Sequence, residues 1–390
     1  MISVDAALAK LFALVQPLPS EIVPLRQANG RVLAANVTAL RDQPPFAASA
    51  MDGYAVKGAT IGPGKTYKVI GEAAAGHRWT GTVGADQALR IFTGAPLPRG
   101  TDHVVIQENV ARIGDDITLN DDANDTAYVR PAGADFKAGD TFKAPRLLRP
   151  SDIALLAAMN IPQVSVTRRP NVAIIATGDE LVQPGEKPAD DQIIASNSYG
   201  LAALVRDLGA EARLLPIARD TVPSLELAFD LAADADLIVT IGGASVGDHD
   251  LVGQVAQDKG MARSFYKVAM RPGKPLMAGK LGQAAMIGFP GNPVSAMVCG
   301  HVFLAPVIRK MLGQGAAPAP RQTAPLAAPI TANGPREHYM RARLDADGVT
   351  VFGRQDSALL TVLADANCLA LRPIHDPARN AGDLVEIIRL

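Results

Sequence analysis

Hydrophobic positions change rhythm several times along this chain. Over residues 3–15 they recur at helical spacing, with Ser3 as N-cap, Asp5 in the first turn and Pro17 barring continuation. A Pro-rich crossing follows over residues 41–49. Residues 51–128 then carry short β-type runs split by Gly, Pro and Asp, which predicts a small irregular β domain. A second amphipathic stretch, SDIALLAAMN, starts at Ser151 and stops before Pro162. From Arg169 strand-type runs (NVAIIA, EARLLPI, ADLIVTIGG, RSFYKVAM, AAMIGF) alternate with helical ones. These helical runs are SYGLAALVRDLG, closed by Gly209, then SLELAFDLAADA, and VSAMVCGHVFLAPVIRKML, which opens after Pro293. That alternation predicts a mostly parallel sheet covered on both faces. Residues 313–329 are Ala/Pro-rich and read as a linker, and residues 330–390 as a small β domain.

The chemistry gathers where the α/β strands run out. Thr177-Gly178-Asp179-Glu180 follows one strand, so Glu180 reads either as a metal ligand or proton acceptor at the sheet edge, or as an acid satisfying local backbone donors. Gly242, Gly243, Ser245 and Gly247 lie in a loop with Asp248, His249 and Asp250; the glycines admit a ligand close to backbone, and the acids suit a hard cation such as Mg²⁺. Lys267 and Arg271 are four residues apart, and a strand between them presents both to one face. With Lys274 they suit a phosphate or oxyanion; three bases alone would favour solvated surface charge, but Pro272-Gly273 argues for a shaped turn. In GFPGNPVS, Pro290, Gly291, Asn292, Pro293 and Ser295 shape a helix start whose amides form an anion cradle. Neither a Walker loop nor the Rossmann glycine pattern occurs.

At 390 residues, 48% hydrophobic and 20% charged, the composition predicts two to four globular domains. A net charge of −1 without a basic run argues against nucleic acid as a partner. No apolar run approaches membrane-helix length, and the N-terminus lacks a signal-peptide pattern, so no membrane association and a cytoplasmic location are expected. Two separate cysteines, Cys299 and Cys368, fit core thiols better than a disulfide framework.

Taken in order, SAMDGYAV, IFTGAPLP with VVIQE, VRPAGADF, TGDEL, GGASVGDHD, MRPGKP and GFPGNPVS resemble the motifs of the molybdopterin molybdenumtransferases. This is the MoeA family, also represented by the C-terminal domain of gephyrin, and the resemblance spans the whole chain. It implies insertion of molybdate into adenylylated molybdopterin with Mg²⁺-assisted release of AMP, giving molybdenum cofactor. The implied fold is multidomain α/β plus β, in a homodimer. Residues 1–40 and 130–167 would form a discontinuous helical domain and residues 41–129 an inserted irregular β domain. Residues 168–314 would form the molybdopterin-binding α/β domain, and residues 315–390 a β-barrel. The active site would draw on the α/β domain of one subunit and the inserted domain of the other. Carried over by motif, Asp52, Thr93 and Asp135 would come from the inserted side. Glu180, Asp220 and Asp250 would hold Mg²⁺, molybdate-water or pterin. Lys267 and Arg271 would neutralise molybdate or phosphates, Pro290 and Pro293 would shape the pterin pocket, and Arg341 and Ser357 would contribute from the C-terminal domain. Other cofactor-biosynthesis proteins and molybdoenzyme acceptors are the implied partners.

Two positions depart from the family pattern. Arg271 stands where many relatives carry Lys, which keeps charge but not proton transfer. Asp356 stands where Gly usually precedes Ser357, which bears on that assignment and on oxyanion preference. Two alternative functions share parts of this framework: a molybdopterin adenylyltransferase, which would lack SAMDGYAV and the barrel, and a non-catalytic scaffold or sensor, which would lack the acids. Molybdate and tungstate are nearly equal in size, so sequence does not separate them.

Overall fold

A computed structural model of the chain describes residues 1–122, 126–243 and 251–390. It divides into two compact units. One comprises residues 1–21, 30–34 and 166–390, the other residues 22–29 and 35–165.

The larger unit is built on a six-stranded sheet. Its order is Glu211–Leu214, Asn171–Ala176, Leu237–Ile241, Ala284–Phe289, Met277–Leu281, Ala262–Tyr266. The first four strands are parallel, and Met277–Leu281 alone runs against them, with the edge strand Ala262–Tyr266 antiparallel to it. The strand Met277–Leu281 escapes sequence reading because Gly279 and Lys280 interrupt its apolar run. The strands Leu237–Ile241 and Ala284–Phe289 are buried at every residue, as expected where helices cover both faces. Strand Asn171–Ala176 is followed by helix Ser196–Asp207 and then by Glu211–Leu214 on one side, after which Leu237–Ile241 returns to the other side. That reversal is the topological switch point, where a crevice opens beyond the carboxyl ends of the strands.

The N-terminal helix Val4–Leu14 is capped as expected, with Ser3 Oγ accepting from Ala6 N at 3.1 Å, and its buried Val4, Leu8 and Leu11 join the same apolar core as Val172, Val239 and Ile287. Gly209 closes helix Ser196–Asp207 at φ 85°, its N–H donating to Arg206 O. The long helical run from Pro293 is continuous to Met311 but contains a π segment over Gly300–Leu304. This run corrects one sequence expectation. At 19 residues and mean hydropathy 1.3 it is long and apolar enough to cross a membrane, yet 78% of it is buried inside the protein, as a core helix would be. A helix Leu251–Asp258 was not foreseen.

The C-terminal segment forms a sheet in the order Met270–Arg271, Glu337–Asp345, Cys368–Arg372, Leu384–Arg389, Gln322–Pro325, with Gly348–Val351 also pairing with Glu337–Asp345. An isolated bridge, Leu326↔Val349, links the end of Gln322–Pro325 to Gly348–Val351. Gln322–Pro325 lies inside the stretch read as a linker. Its pairing with Leu384–Arg389 shows that Ala/Pro composition there marks an edge strand rather than free chain. The short helix Leu360–Asp365 also went unforeseen.

The smaller unit carries the expected irregular β architecture. Its six-stranded sheet runs His103–Ile106, Gly53–Val56, Gln87–Ile91, Thr66–Ala73, Asp116–Leu119, Val110–Ile113. Separately, Ala48–Ser49 pairs with Val129–Arg130.

Candidate functional site

The switch point carries a cleft of about 600 Å³. Its walls bring together Glu180 and Asp220 from the loops after two strands, Gly242 and Gly243 from a third, and Pro290, Gly291, Asn292 and Pro293 from a fourth. Packing dictates this convergence. The N–H of Thr177 donates to Ile241 O at 2.9 Å and that of Gly242 to Phe289 O at 3.1 Å, so three strand ends stay hydrogen-bonded as they leave the sheet. Gly242 sits at φ 94°, and a Cβ there would meet Thr177 O at 2.6 Å. Gly178, at φ 150°, leaves room for the Glu180 carboxylate, which lies where its Cβ would be. Arg219 clamps the acidic loop, donating to Asp179 O at 2.9 Å and Leu181 O at 3.1 Å.

Two carboxylates, those of Glu180 and Asp220, line this cleft, with Asp179 beside them. Asp220 N donates to Asp179 Oδ1 at 3.2 Å. Partial burial, and then the negative charges of Asp179 and Glu180, push the Asp220 carboxyl above its ordinary range. Among the described residues no three His, Cys, Asp or Glu side chains close around one point. Glu180 and Asp220 nonetheless supply the one or two carboxylates that Mg²⁺ takes while keeping waters and substrate phosphates, so the donor set fits that ion. Asp250, the third expected ligand, lies outside the described residues, as do Ser245 and Gly247.

A second pocket of about 300 Å³ shares Pro275 and Asn292 with the cleft. It gathers Arg271, Lys274, Ser295, Asn292 and Ser357, together with Arg336 and Gln355, which sequence reading missed. Asn292 Nδ2 donates to Ser357 Oγ at 3.1 Å, and Val294 N to Ser357 O at 3.0 Å. The signal for Arg336 was its place five residues before Arg341, on the approach to strand Glu337–Asp345. Beside this pocket lies the buried His338, opposite Arg271 in the parallel pairing. Burial first, then Arg271, Arg341, Arg336 and Arg372, pushes its pKa down to about 4, so the imidazole is neutral above that pH.

Two expected ligands sit elsewhere. The strand expected to carry Lys267 and Arg271 on one face ends at Tyr266. Lys267 turns at φ 70°, its ammonium 5.0 Å from the Tyr266 ring centroid, and Met270–Arg271 joins the C-terminal sheet instead. The one-face reading is therefore corrected, because a backbone in the left-handed region cannot continue a strand. Lys267 lines neither pocket. Arg341 is fully buried, with its guanidinium holding Arg354 O at 3.4 Å and Asp356 O at 2.9 Å. Its Nη2 braces the loop carrying Ser357, while its Nε and Nη1 are buried with no hydrogen-bond partner among the described residues, and it lines neither pocket. Asn197 was also missed, and its Nδ2 holds Gly291 O at 2.6 Å across the cleft mouth. The polar Ser-Asn-Ser start of its helix was the available signal.

In the smaller unit Asp52 and Thr93 form one constellation. Asp52 Oδ1 accepts from Thr93 N and Thr93 Oγ1, both at 2.8 Å, and these bonds hold the Asp52 carboxyl below its ordinary range. Asp135 lines a cleft of about 680 Å³ with Arg41, Arg130 and Gly94.

An α/β domain with an acid-lined switch-point cleft, continuous with a basic pocket, defines a binder of polyanionic ligands. Residues 173–310 match the family model described as a probable molybdopterin binding domain. Residues 2–160 match the MoeA N-terminal region (domain I and II), and residues 323–390 the MoeA C-terminal region (domain IV). The chain belongs to the MoeA family. It is 37% identical to a molybdopterin molybdenumtransferase of Nostoc sp., covering 97% of this chain and 92% of that one. It is 36% identical to molybdopterin molybdenumtransferase 2 of Mycobacterium tuberculosis, covering 89% of each. The crystal structure of a molybdopterin biosynthesis moeA protein from Pyrococcus horikoshii OT3 superposes with a TM-score of 0.86 at 27% identity, covering 100% of both chains.

Proposed function

We propose that this protein is a molybdopterin molybdenumtransferase, inserting molybdate into adenylylated molybdopterin and releasing AMP. The observation that carries this reading is the pairing of the two pockets: a long cleft with carboxylates at one wall, opening beside a compact cluster of cations and hydroxyls. Family membership over all three segments, and the names of the relatives, support it.

The residues divide the work by charge. Gly242, Gly243 and Pro290 let the ligand lie against backbone at the strand ends, while the amide of Val294 at the Pro293 helix start is already held by Ser357 O. Glu180 and Asp220 would hold Mg²⁺, which neutralises charge on a phosphoanhydride. Arg271, Lys274 and Arg336 would hold molybdate, offsetting its repulsion by a phosphorylated pterin, while Asn292 and Ser357 orient it. Asp52, Thr93 and Asp135 would act from a partner copy in a homodimer. Adenylyltransfer is not favoured, since the N-terminal and C-terminal MoeA regions are both present.

An AMP-release assay on the purified protein with adenylylated molybdopterin, Mg²⁺ and molybdate tests the reading. Molybdate-dependent AMP release with formation of active cofactor is expected. Tight pterin binding without release would establish a scaffold instead.

A further inference from the structure

The basic pocket contains one residue of the wrong sign. Arg271, Lys274 and Arg336 bring cations to its wall, and Asn292, Ser295 and Ser357 bring hydrogen-bond donors. Asp356 is the only acid among its lining residues. Its position is set from several directions. Its carbonyl accepts from Arg341 Nη2 at 2.9 Å, and its Oδ1 accepts from Ala358 N at 2.8 Å. The next residue, Ser357, is tied by Val294 N and Asn292 Nδ2. Gln355 on the other side is bound twice to the Arg341 backbone, with both contacts at 3.0 Å. The loop is therefore anchored to the C-terminal sheet and to the helix start at Pro293, and the carboxylate is held at the pocket wall.

The turn that holds Asp356 does not require its charge, although the carboxylate favours the charged form of the buried Arg341 guanidinium. The turn to Ala358 uses a single side-chain oxygen as acceptor, which the amide of Asn supplies equally. Asp356 makes no ion pair with any described residue. What the charge does do is repel an anion held among the three bases. Molybdate and tungstate are dianions at neutral pH. One unit charge facing a dianion across a pocket of this size, largely water-screened because Asp356 is exposed, corresponds to roughly five- to tenfold in affinity.

We propose that Asp356 is a specificity-determining residue that weakens ground-state binding of dianionic metal oxyanions in this pocket. The inference rests on the reading of the pocket as the oxyanion site. Weak holding suits a site whose occupant must be passed on, because tight uniform binding lowers KM without raising kcat.

The test is calorimetric titration of sodium molybdate, at constant ionic strength, into full-length wild-type protein and the variants Asp356→Asn, Asp356→Gly and Arg336→Gln. Circular dichroism checks the fold, and the Gly variant stands in if Asn fails to fold. Binding roughly five- to tenfold tighter for the Asp356 variants, with Arg336→Gln weaker than wild type, is the expected result. In turnover the same substitution should lower KM for molybdate. If the Asp356 variants bind no tighter while Arg336→Gln still weakens binding, Asp356 has no such role although the pocket assignment stands. If Arg336→Gln binds like wild type, the pocket assignment itself is wrong and this inference goes with it.

Discussion

Asp220 and Asp52 show opposite ways of preparing a carboxylate. Asp220 is crowded by Asp179 and Glu180, so its folded-state pKa is raised, and the stability associated with its protonated form is lost as pH rises through that value. Asp220→Asn should therefore raise Tm slightly at neutral pH, by about 1–3 °C, while reducing Mg²⁺-dependent AMP release strongly. Thermal melts and the AMP assay on the same preparation check both, and a fall in Tm would contradict the crowding account. Asp52 is the reverse case. Two bonds from Thr93 depress its pKa, so the carboxylate persists to lower pH than an ordinary aspartate. Thr93→Val removes the hydroxyl bond and keeps the backbone one. The acid limb of the pH–activity profile should then move to higher pH, whereas an unmoved limb would mean that Asp52 does not titrate in turnover.

At the scale of elements, the cleft depends on three strand ends staying paired after their apolar runs stop. Gly242 is a tight point against backbone, because a methyl group there meets the Thr177 carbonyl and the backbone lies in the left-handed region. Gly242→Ala should cost about 2 kcal/mol or more, read as a lower denaturant midpoint, and should weaken pterin binding as the Thr177 and Gly242 strand ends part. An unchanged midpoint would show that this crossing is not under constraint. The break at Lys267 acts at the same scale. By ending one strand and handing Met270–Arg271 to the C-terminal sheet, it brings Arg271 beside Arg336 and Ser357.

At the scale of the molecule, the two groups of acids lie in separate compact units, Glu180 and Asp220 in one and Asp52 and Asp135 in the other. If two copies pool them, coexpressed Asp52→Ala and Glu180→Ala chains should recover up to about one quarter of wild-type activity per dimer, since half the dimers are mixed and each retains one intact site. Each variant alone should be inactive. Purified mixed dimers without activity would exclude a shared site.

What the sequence determined by itself was local or collinear. The alternation of strand and helix after Arg169, the caps at Ser3 and Gly209, the Gly-rich strand ends and the ordered motifs all lie in short stretches whose physics is set by neighbouring residues. From these came the α/β domain, the irregular β domain, the family, and the acids and helix start of the cleft. Tertiary structure decided what depends on distant partners. The one reversed strand of the sheet needed Met277–Leu281 to find Ala284–Phe289, and a strand replaced the supposed linker because Leu384–Arg389 pairs with Gln322–Pro325. Arg336 and Gln355 entered the basic pocket, and Arg341 reached the Asp356 carbonyl, only when residues about 65 positions apart closed around Ser357. Side-chain chemistry along a chain carries no record of such closures, because a loop's contacts are set by the sheets that hold its two ends.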